Sequence, residues 1–353
     1  MDFTPTEEQA AAQELAARIF GDLATPDRLA AAGTGTDAEL WKALCAAGLP
    51  AAVEEIGLLG LVLLLEEQGR TTAQTPFAAS CVYGILAVAR HGTDEQRARL
   101  LPALRDGSAV VAGAFPAPGD PGGRGGIGAD GRLTGEVPWV PWLRDATHVL
   151  VPDEERALWL IRTADAVVEP VELTAPWSAG RLLLDSAPGE RLGTGPEAYD
   201  DVLAAARIAF AGLQAGVCAG SLARAVDHAN TREQFGRPLA TRQGVQLRAA
   251  DAHMDTEAIR VTAYEAAWRH DAGLPCAGQA LTAAWWAAEA GKRVVHAGQH
   301  LHGGTGADLD HPVHRHFLWG RQLDAYLGRG AELLQELGDL LADDVHLANG
   351  EPS

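Results

Sequence analysis

From about residue 198 to residue 343, apolar residues recur at helical spacing in four long stretches, roughly 198–230, 240–271, 278–301 and 311–343. Helices of that length joined by short connections bury their apolar faces as an antiparallel four-helix bundle. In the first stretch the repeat is carried by Leu203, Ile208, Phe210, Leu213, Val217, Leu222 and Val226, and in the second by Val245, Leu247, Ala250, Met254 and Ile259. Between them Gly236 and Pro238 break the chain. This corner is chemically equipped: Arg232 and Arg237 offer planar, permanently charged donor forks that suit a diphosphate. Phe235 adds a flat apolar face, and Gln243 and Gln246 add amide donors and acceptors.

Upstream, residues 1–110 also read as helices. Thr4-Pro5-Thr6-Glu7-Glu8 has the form of a cap and first turn leading to Leu15, Ile19 and Phe20. Further helical stretches follow at Asp37–Cys45, Ile56–Gln68, Pro76–His91 and Asp94–Asp106; the second of these is apolar nearly all round, as a helix inside a bundle must be. From about 110 to 196 the character changes. Short strands are predicted at Ala109–Phe115, Arg132–Trp142, Thr147–Pro152, Ala157–Ile161, Val167–Leu173 and Arg181–Leu184. The expected architecture is α+β and mostly α: an N-terminal helical domain (1–110), a small middle β domain (111–196), a C-terminal four-helix bundle (197–345) and a tail (346–353). Gly123-Arg124-Gly125-Gly126-Ile127-Gly128 satisfies G-x-G-x-x-G, but it runs into Ala129-Asp130-Gly131 instead of opening a helix, so a flexible loop is expected there and not a dinucleotide site.

The formal net charge of −19 disfavours general attraction to nucleic acid or to an anionic membrane, and leaves local Arg clusters as the anion sites. Cys45, Cys81, Cys218 and Cys276 are scattered through apolar helical patterns with no C-x-x-C spacing, as expected of buried free thiols in a reducing compartment. The acidic start has no secretory pattern, and the longest strongly apolar run, Ile56–Leu65, falls well short of the ~20 residues of a membrane span, so a cytoplasmic location is expected. His296, His300, His302, His311, His314 and His316 crowd one region, yet no cysteine or carboxylate pair completes a ligand set, and no metal is expected. No Ser stands in a G-x-S-x-G turn and no Cys adjoins a His. The tryptophans Trp139, Trp142, Trp285, Trp286 and Trp319 are expected in the core or at an interface.

Arg232-x-x-Phe235-Gly236-Arg237-Pro238-Leu239, followed by Gln243 and Gln246, resembles the R-x-x-F-G-x-P-I…Q signature of acyl-CoA dehydrogenases. His302-Gly303-Gly304-Thr305-Gly306 with Pro312-Val313-His314-Arg315 is similar to that family's H-G-G-x-G…P-V-E-R segment. The run ending Glu66-Glu67-Gln68-Gly69-Arg70 resembles its E-E-L-G-R helix, so the likeness covers nearly the whole chain. The resemblance implies FAD lying across a subunit interface, an acyl thioester substrate, and cofactor contacts at Arg232, Phe235, Gln243, His300, Gly303 and Gly304, with His300 standing where the family has Gln.

It also implies a glutamate base, which is needed because the α-proton of a thioester is weakly acidic. Counting from Pro312, the Y-E-G-T glutamate position falls on Leu327; the alternative base position, immediately before an Arg on an earlier helix, is Ala206, before Arg207. The W-I-T-N segment corresponds to Pro138-Trp139-Val140-Pro141, without the hydroxyl that faces the flavin, and Leu318, Trp319 and Gly320 replace R-D-A. The diphosphate-side residues are thus kept and the base is lost. That pattern resembles the base-less subunits of actinobacterial heteromeric acyl-CoA dehydrogenases, whose partner is a larger homologous subunit with an intact glutamate. Two other readings stand beside it. One is a stand-alone homo-oligomer with divergent chemistry, as a dehydratase, cyclase or flavin-dependent oxygenase; the other is a dehydrogenase whose base has moved to Asp324, one turn from Leu327.

Overall fold

The computed structural model describes residues 2–115, 126–127 and 132–349. Helix α1 (Glu7–Leu23) starts where expected, with Thr6 and Gln9 forming a reciprocal capping box. Helices α2 (Pro26–Ala32) and α3 (Ala38–Ala46) follow, and sequence periodicity alone does not reveal the short α2. Helix α4 (Leu49–Thr71) begins seven residues before Ile56, because it is two helical pieces joined at Gly57, whose φ of 70° and ψ of −169° only glycine adopts readily. The second piece is capped from a distance: Asp271 accepts from the amides of Leu58 and Leu59 at 2.8 and 2.9 Å. Helix α5 (Phe77–Ala79) continues through a π-helical stretch, Ser80–Leu86, into α6 (Ala87–His91), and α7 (Asp94–Arg105) carries a second capping box on Thr93 and Gln96.

The β region holds two four-stranded sheets. One has the order β1 (Val111–Gly113), β4 (His148–Pro152), β5 (Leu158–Arg162), β8 (Glu190–Leu192), with β1 parallel to β4 and the other pairs antiparallel. The other is antiparallel, ordered β2 (Gly126–Ile127), β3 (Arg132–Val140), β7 (Gly180–Pro188), β6 (Val167–Pro170). Gly126 and Ile127 pair with Thr134 and Leu133 as strand, while the rest of the G-x-G-x-x-G stretch lies outside the described residues.

Helix α8 (Pro196–Thr231) runs through the centre of the helical part. It is long and apolar enough to cross a membrane, but its most apolar window is 83% buried inside the protein. It packs closely on α4 and α10, and with α4 the two backbones touch through small residues: a Cβ on Gly216 would run into the Glu66 carbonyl, and one on Gly69 into that of Leu213. After a short hairpin come α9 (Gln243–Asp271) and α10 (Ala277–His302). The fourth helix expected over 311–343 is instead two, α11 (Val313–Leu323) and α12 (Gly330–Asn349), separated at 324–329. Leu327 (φ 62°) and Gly328 (φ 125°) turn the chain there, and buried Tyr326 fixes the turn against α8 and the π-helical stretch. The helical repeat spans this break because both pieces present apolar residues to α10. Helix α12 continues to Asn349, so residues 346–349, expected in the tail, are helical. Cys81 and Cys218 are buried free thiols, whereas Cys45 and Cys276 are half-buried ones.

Candidate functional site

The corner between α8 and α9 is a hairpin, β9 (Glu233–Gln234) and β10 (Arg237–Pro238), with Arg237 opposite Gln234. Its two-residue turn is Phe235 (φ 54°) and Gly236 (φ 76°), both left-handed, which is the geometry that closes a tight hairpin with the natural strand twist. The turn holds Phe235 out from the protein: the side chain is 91% exposed, and the Arg242 guanidinium lies 5.2 Å from its ring centroid. Arg242 also donates to the Gln234 carbonyl at 2.9 Å, and the Arg232 carbonyl accepts from Leu239 at 2.9 Å, so the base of the hairpin is fixed while its tip projects. Arg232, Arg237 and Gln243 are all exposed around it. Gln246 is not available in the same way, because its amide donates to the Ala240 carbonyl at 2.9 Å.

His300, Gly303 and Gly304 are exposed at the end of α10, with Gly303 at φ 62° and open space where a side chain on either glycine would go. The two groups lie at one end of the helical part. His228, one turn before Arg232, stacks on His302, immediately before Gly303, with ring centroids 4.7 Å apart. Other histidines of the cluster are engaged individually: His316 donates to the Arg70 carbonyl at 3.0 Å, His314 to the His311 carbonyl at 2.6 Å, and His296 accepts from Arg321 at 3.0 Å. Among the described residues no group of three or more His, Cys, Asp or Glu is placed to hold a metal ion.

The two base positions lie in a different environment. Leu327 is 4% exposed and Ala206 fully buried. Arg207, beside Ala206, forms a two-pronged pair with Glu336 at 2.8 and 2.7 Å. Next to Leu327, the Tyr326 ring sits edge-on to Phe210 at 4.7 Å and its hydroxyl is 2.8 Å from that of Tyr83. Trp139 approaches Tyr326 at 5.9 Å, and Phe115 stacks on Tyr83 at 5.2 Å. Burial pushes both tyrosine hydroxyls well above their ordinary range, so neither serves as a base near neutral pH. Asp324 lies on another side of the turn, its carboxylate 2.7 Å from Arg321 and its other charged neighbours Lys292 and Glu289 on α10. Burial raises its pKa against the pull of Arg321.

Residues 6–108 match the family model for the acyl-CoA dehydrogenase N-terminal domain, and residues 193–336 that for the acyl-CoA dehydrogenase C-terminal domain. Acyl-CoA dehydrogenase FadE27 of Mycobacterium tuberculosis is 34% identical in an alignment covering 97% of this chain and 99% of that protein. The chain belongs to the acyl-CoA dehydrogenase family. Among solved structures, the Tcur3481-Tcur3483 steroid ACAD variant superposes with a TM-score of 0.90 at 40% identity, covering 96% of this chain and 99% of that one. The ChsE4-ChsE5 complex from M. tuberculosis gives a TM-score of 0.90 at 32% identity, covering 97% and 99%. As a member of this family the chain is an oxidoreductase or a subunit of one.

Some of the polar residues that organise this acyl-CoA dehydrogenase fold lie within a motif, and others carry no motif signal. Arg315, the arginine of the P-V-H-R segment, is buried and donates to the Gln74 side chain and, at 3.5 Å, to the Leu29 carbonyl, so it fastens α11 to the N-terminal helices. Asp201 is held between His91 at 2.7 Å and His270 at 3.2 Å, with Arg90 at 3.1 Å, beside a cavity of 310 Å³ walled by α4, α6, α8 and α9. Burial alone would raise its pKa, but hydrogen bonds from the two histidines hold it well below the usual carboxylate range. His228 is likewise outside every motif; its place one helical turn before Arg232 is the signal that could have marked it.

Proposed function

We propose that this chain is the base-less subunit of a heteromeric FAD-dependent acyl-CoA dehydrogenase. In such an enzyme the α-proton of an acyl thioester passes to a glutamate of the larger homologous subunit, and the β-hydride leaves to give the α,β-unsaturated product. Bound FAD supplies the acceptor for that hydride. This chain contributes the contacts to the cofactor's diphosphate side: Arg232 as an anion-binding fork, Phe235 as an apolar platform, Gln243 and His300 as polar contacts, and Gly303 and Gly304 as backbone that a ligand approaches closely.

The observation that carries this reading is the contrast within one chain. The donor groups for a diphosphate are exposed and project from the surface, whereas the expected base positions are the apolar Leu327 and Ala206, both buried in the core. The residues present therefore fit the diphosphate end of FAD, and nothing at Leu327 or Ala206 supplies the carboxylate that the reaction requires. The relatives add weight: two similar solved structures bear two-component names, one a steroid ACAD and the other a complex. A bulky steroid acyl thioester is accordingly the substrate class we assign.

The test is the flavin absorbance of the purified chain, alone and co-expressed with a homologue that retains the glutamate. Flavin bound in the co-expressed assembly at less than one per chain, and released by Arg232→Ala, is the expected result. A full complement of flavin on the isolated chain, together with turnover by it, would overturn the proposal.

A further inference from the structure

Three imidazoles meet where the ends of α8 and α10 come together. His228 lies over His302 with 28° between the ring planes, and on its other side His302 faces His311 at 5.0 Å between centroids. The stack sits between two groups already assigned to the diphosphate: His228 precedes Arg232 by one helical turn, and His302 is bonded to Gly303. Hydrogen bonds fix two of the tautomers. His302 is buried and donates its Nδ1 proton to the Gly298 carbonyl at 2.7 Å, so its Nε2 carries a free lone pair when the ring is neutral. His311 accepts at Nδ1 from the Val313 amide at 3.3 Å, so its proton is on Nε2.

Charges of both signs surround the stack. Arg224 and Arg232 reach the stack from α8 and its end, Asp308 approaches from the loop before His311, Asp227 on α8 faces Arg224, and His314 adjoins from α11. Burial first, then the neighbouring imidazoles and guanidiniums, keeps His228 and His311 below the ordinary histidine range. Taking up a proton at His302 Nε2 breaks no hydrogen bond, whereas protonating His311 at Nδ1 would cost its bond from Val313.

We infer that the His228–His302–His311 stack is a proton-coupled clamp for the cofactor's diphosphate, taking up a proton when a diphosphate binds between Arg232 and the Gly303–Gly304 loop. The inference rests on the reading that these residues face the FAD diphosphate. A diphosphate a few ångströms away favours imidazolium, so the stack's pKa is higher in the bound state than in the free one. Between those two values binding consumes protons, and FAD affinity rises as pH falls, by at most about tenfold per pH unit for each linked proton. Above the bound-state value and below the free-state value the affinity is flat.

The experiment is FAD binding to the flavin-stripped assembly of this chain with its base-bearing partner, followed by fluorescence quenching from about pH 5.5 to about pH 8.5, with proton uptake measured calorimetrically in buffers of different ionisation enthalpy. Tighter binding at lower pH, net proton uptake, and loss of both in His302→Gln support the clamp. Should the buried His302→Gln variant fail to fold, His228→Gln, at a half-buried position, gives the same comparison. A flat profile, or a slope that survives both substitutions, overturns it. If Arg232→Ala weakens FAD at every pH while the wild-type profile is flat, the clamp alone is wrong; if Arg232→Ala leaves FAD affinity unchanged, the diphosphate assignment fails with it.

Discussion

Around Arg232 the polar groups project outward from a rigid hairpin, whereas around Leu327 the polar groups close on one another. At the hairpin, backbone and Arg242 contacts fix the base while Phe235, Arg232 and Arg237 stay exposed. At the break between α11 and α12, the hydroxyls of Tyr83 and Tyr326 pair together, and Phe210 and Trp139 pack the space beside them. A catalytic pocket needs an uncommitted polar group in a concave site; an interface needs exposed groups held in a fixed frame. The hairpin has the second arrangement and the Leu327 region lacks the first, which is what the proposed role of completing a partner's site requires.

The strongest attempt to break this contrast is Leu327→Glu. It puts a carboxylate at a buried, left-handed position, and should destabilise the fold by about 3–5 kcal/mol, read as a lower melting temperature. No exchange of the thioester α-proton into deuterated water should appear in the isolated chain. Exchange catalysed by that variant without a partner would show that the region is open after all.

Acid separates the two regions next. Burial, against the Arg70 carbonyl, pushes the His316 pKa down to about 4. The unfolded chain therefore binds the extra proton first, and stability is full above about pH 6.5 and falls as pH drops towards 4, by roughly 3 kcal/mol in all. Melting temperature against pH checks this, and His316→Gln should flatten the slope. The packed interior thus loses stability over a pH range in which the surface histidine stack is expected to gain affinity for FAD.

A smaller effect sharpens the surface side. Arg232→Ala should raise the Kd for FAD roughly tenfold to a hundredfold, the value of a charge-assisted contact of about 1.5–3 kcal/mol, while leaving the melting temperature of the protein without cofactor unchanged. Phe235→Ala should likewise change stability by less than about 0.5 kcal/mol, because the ring is almost wholly exposed, and should weaken flavin retention or assembly. The smallest effect expected on function is from Asp324→Asn. Its carboxylate pairs with Arg321 and faces α10, so turnover of the assembly should not change and stability should fall by less than about 1 kcal/mol. Loss of turnover in this variant would restore Asp324 as a displaced base.

Much of this was legible in the residues. Helical periodicity located α8, α9 and α10, the caps at Thr6 and Thr93 follow local chemistry, and the β region was visible in its change of composition. The R-x-x-F-G and H-G-G segments identified the family, and the absence of glutamate at Leu327 and Ala206 could be counted directly. Local signals suffice where the cause is local: a repeat, a cap, a turn residue or a motif. The early start of α4 and the division of the last helix were not legible, because Gly57 is stabilised by Asp271 from 214 residues away and Tyr326 is turned by Tyr83 and Phe210.

The sequence by itself determined the family and the order of helices and strands, and it placed Arg232, Gly303 and Gly304 in the family's motifs and Leu327 and Ala206 where a glutamate was expected, since each is written in residue identity and spacing. Only the tertiary structure decided that Leu327 is buried, that Gln246 is spent within the corner, and that His228 meets His302 beside Arg232 and Gly303. Those facts depend on which distant side chains satisfy one another's hydrogen bonds and fill one another's space, and no local pattern encodes that choice.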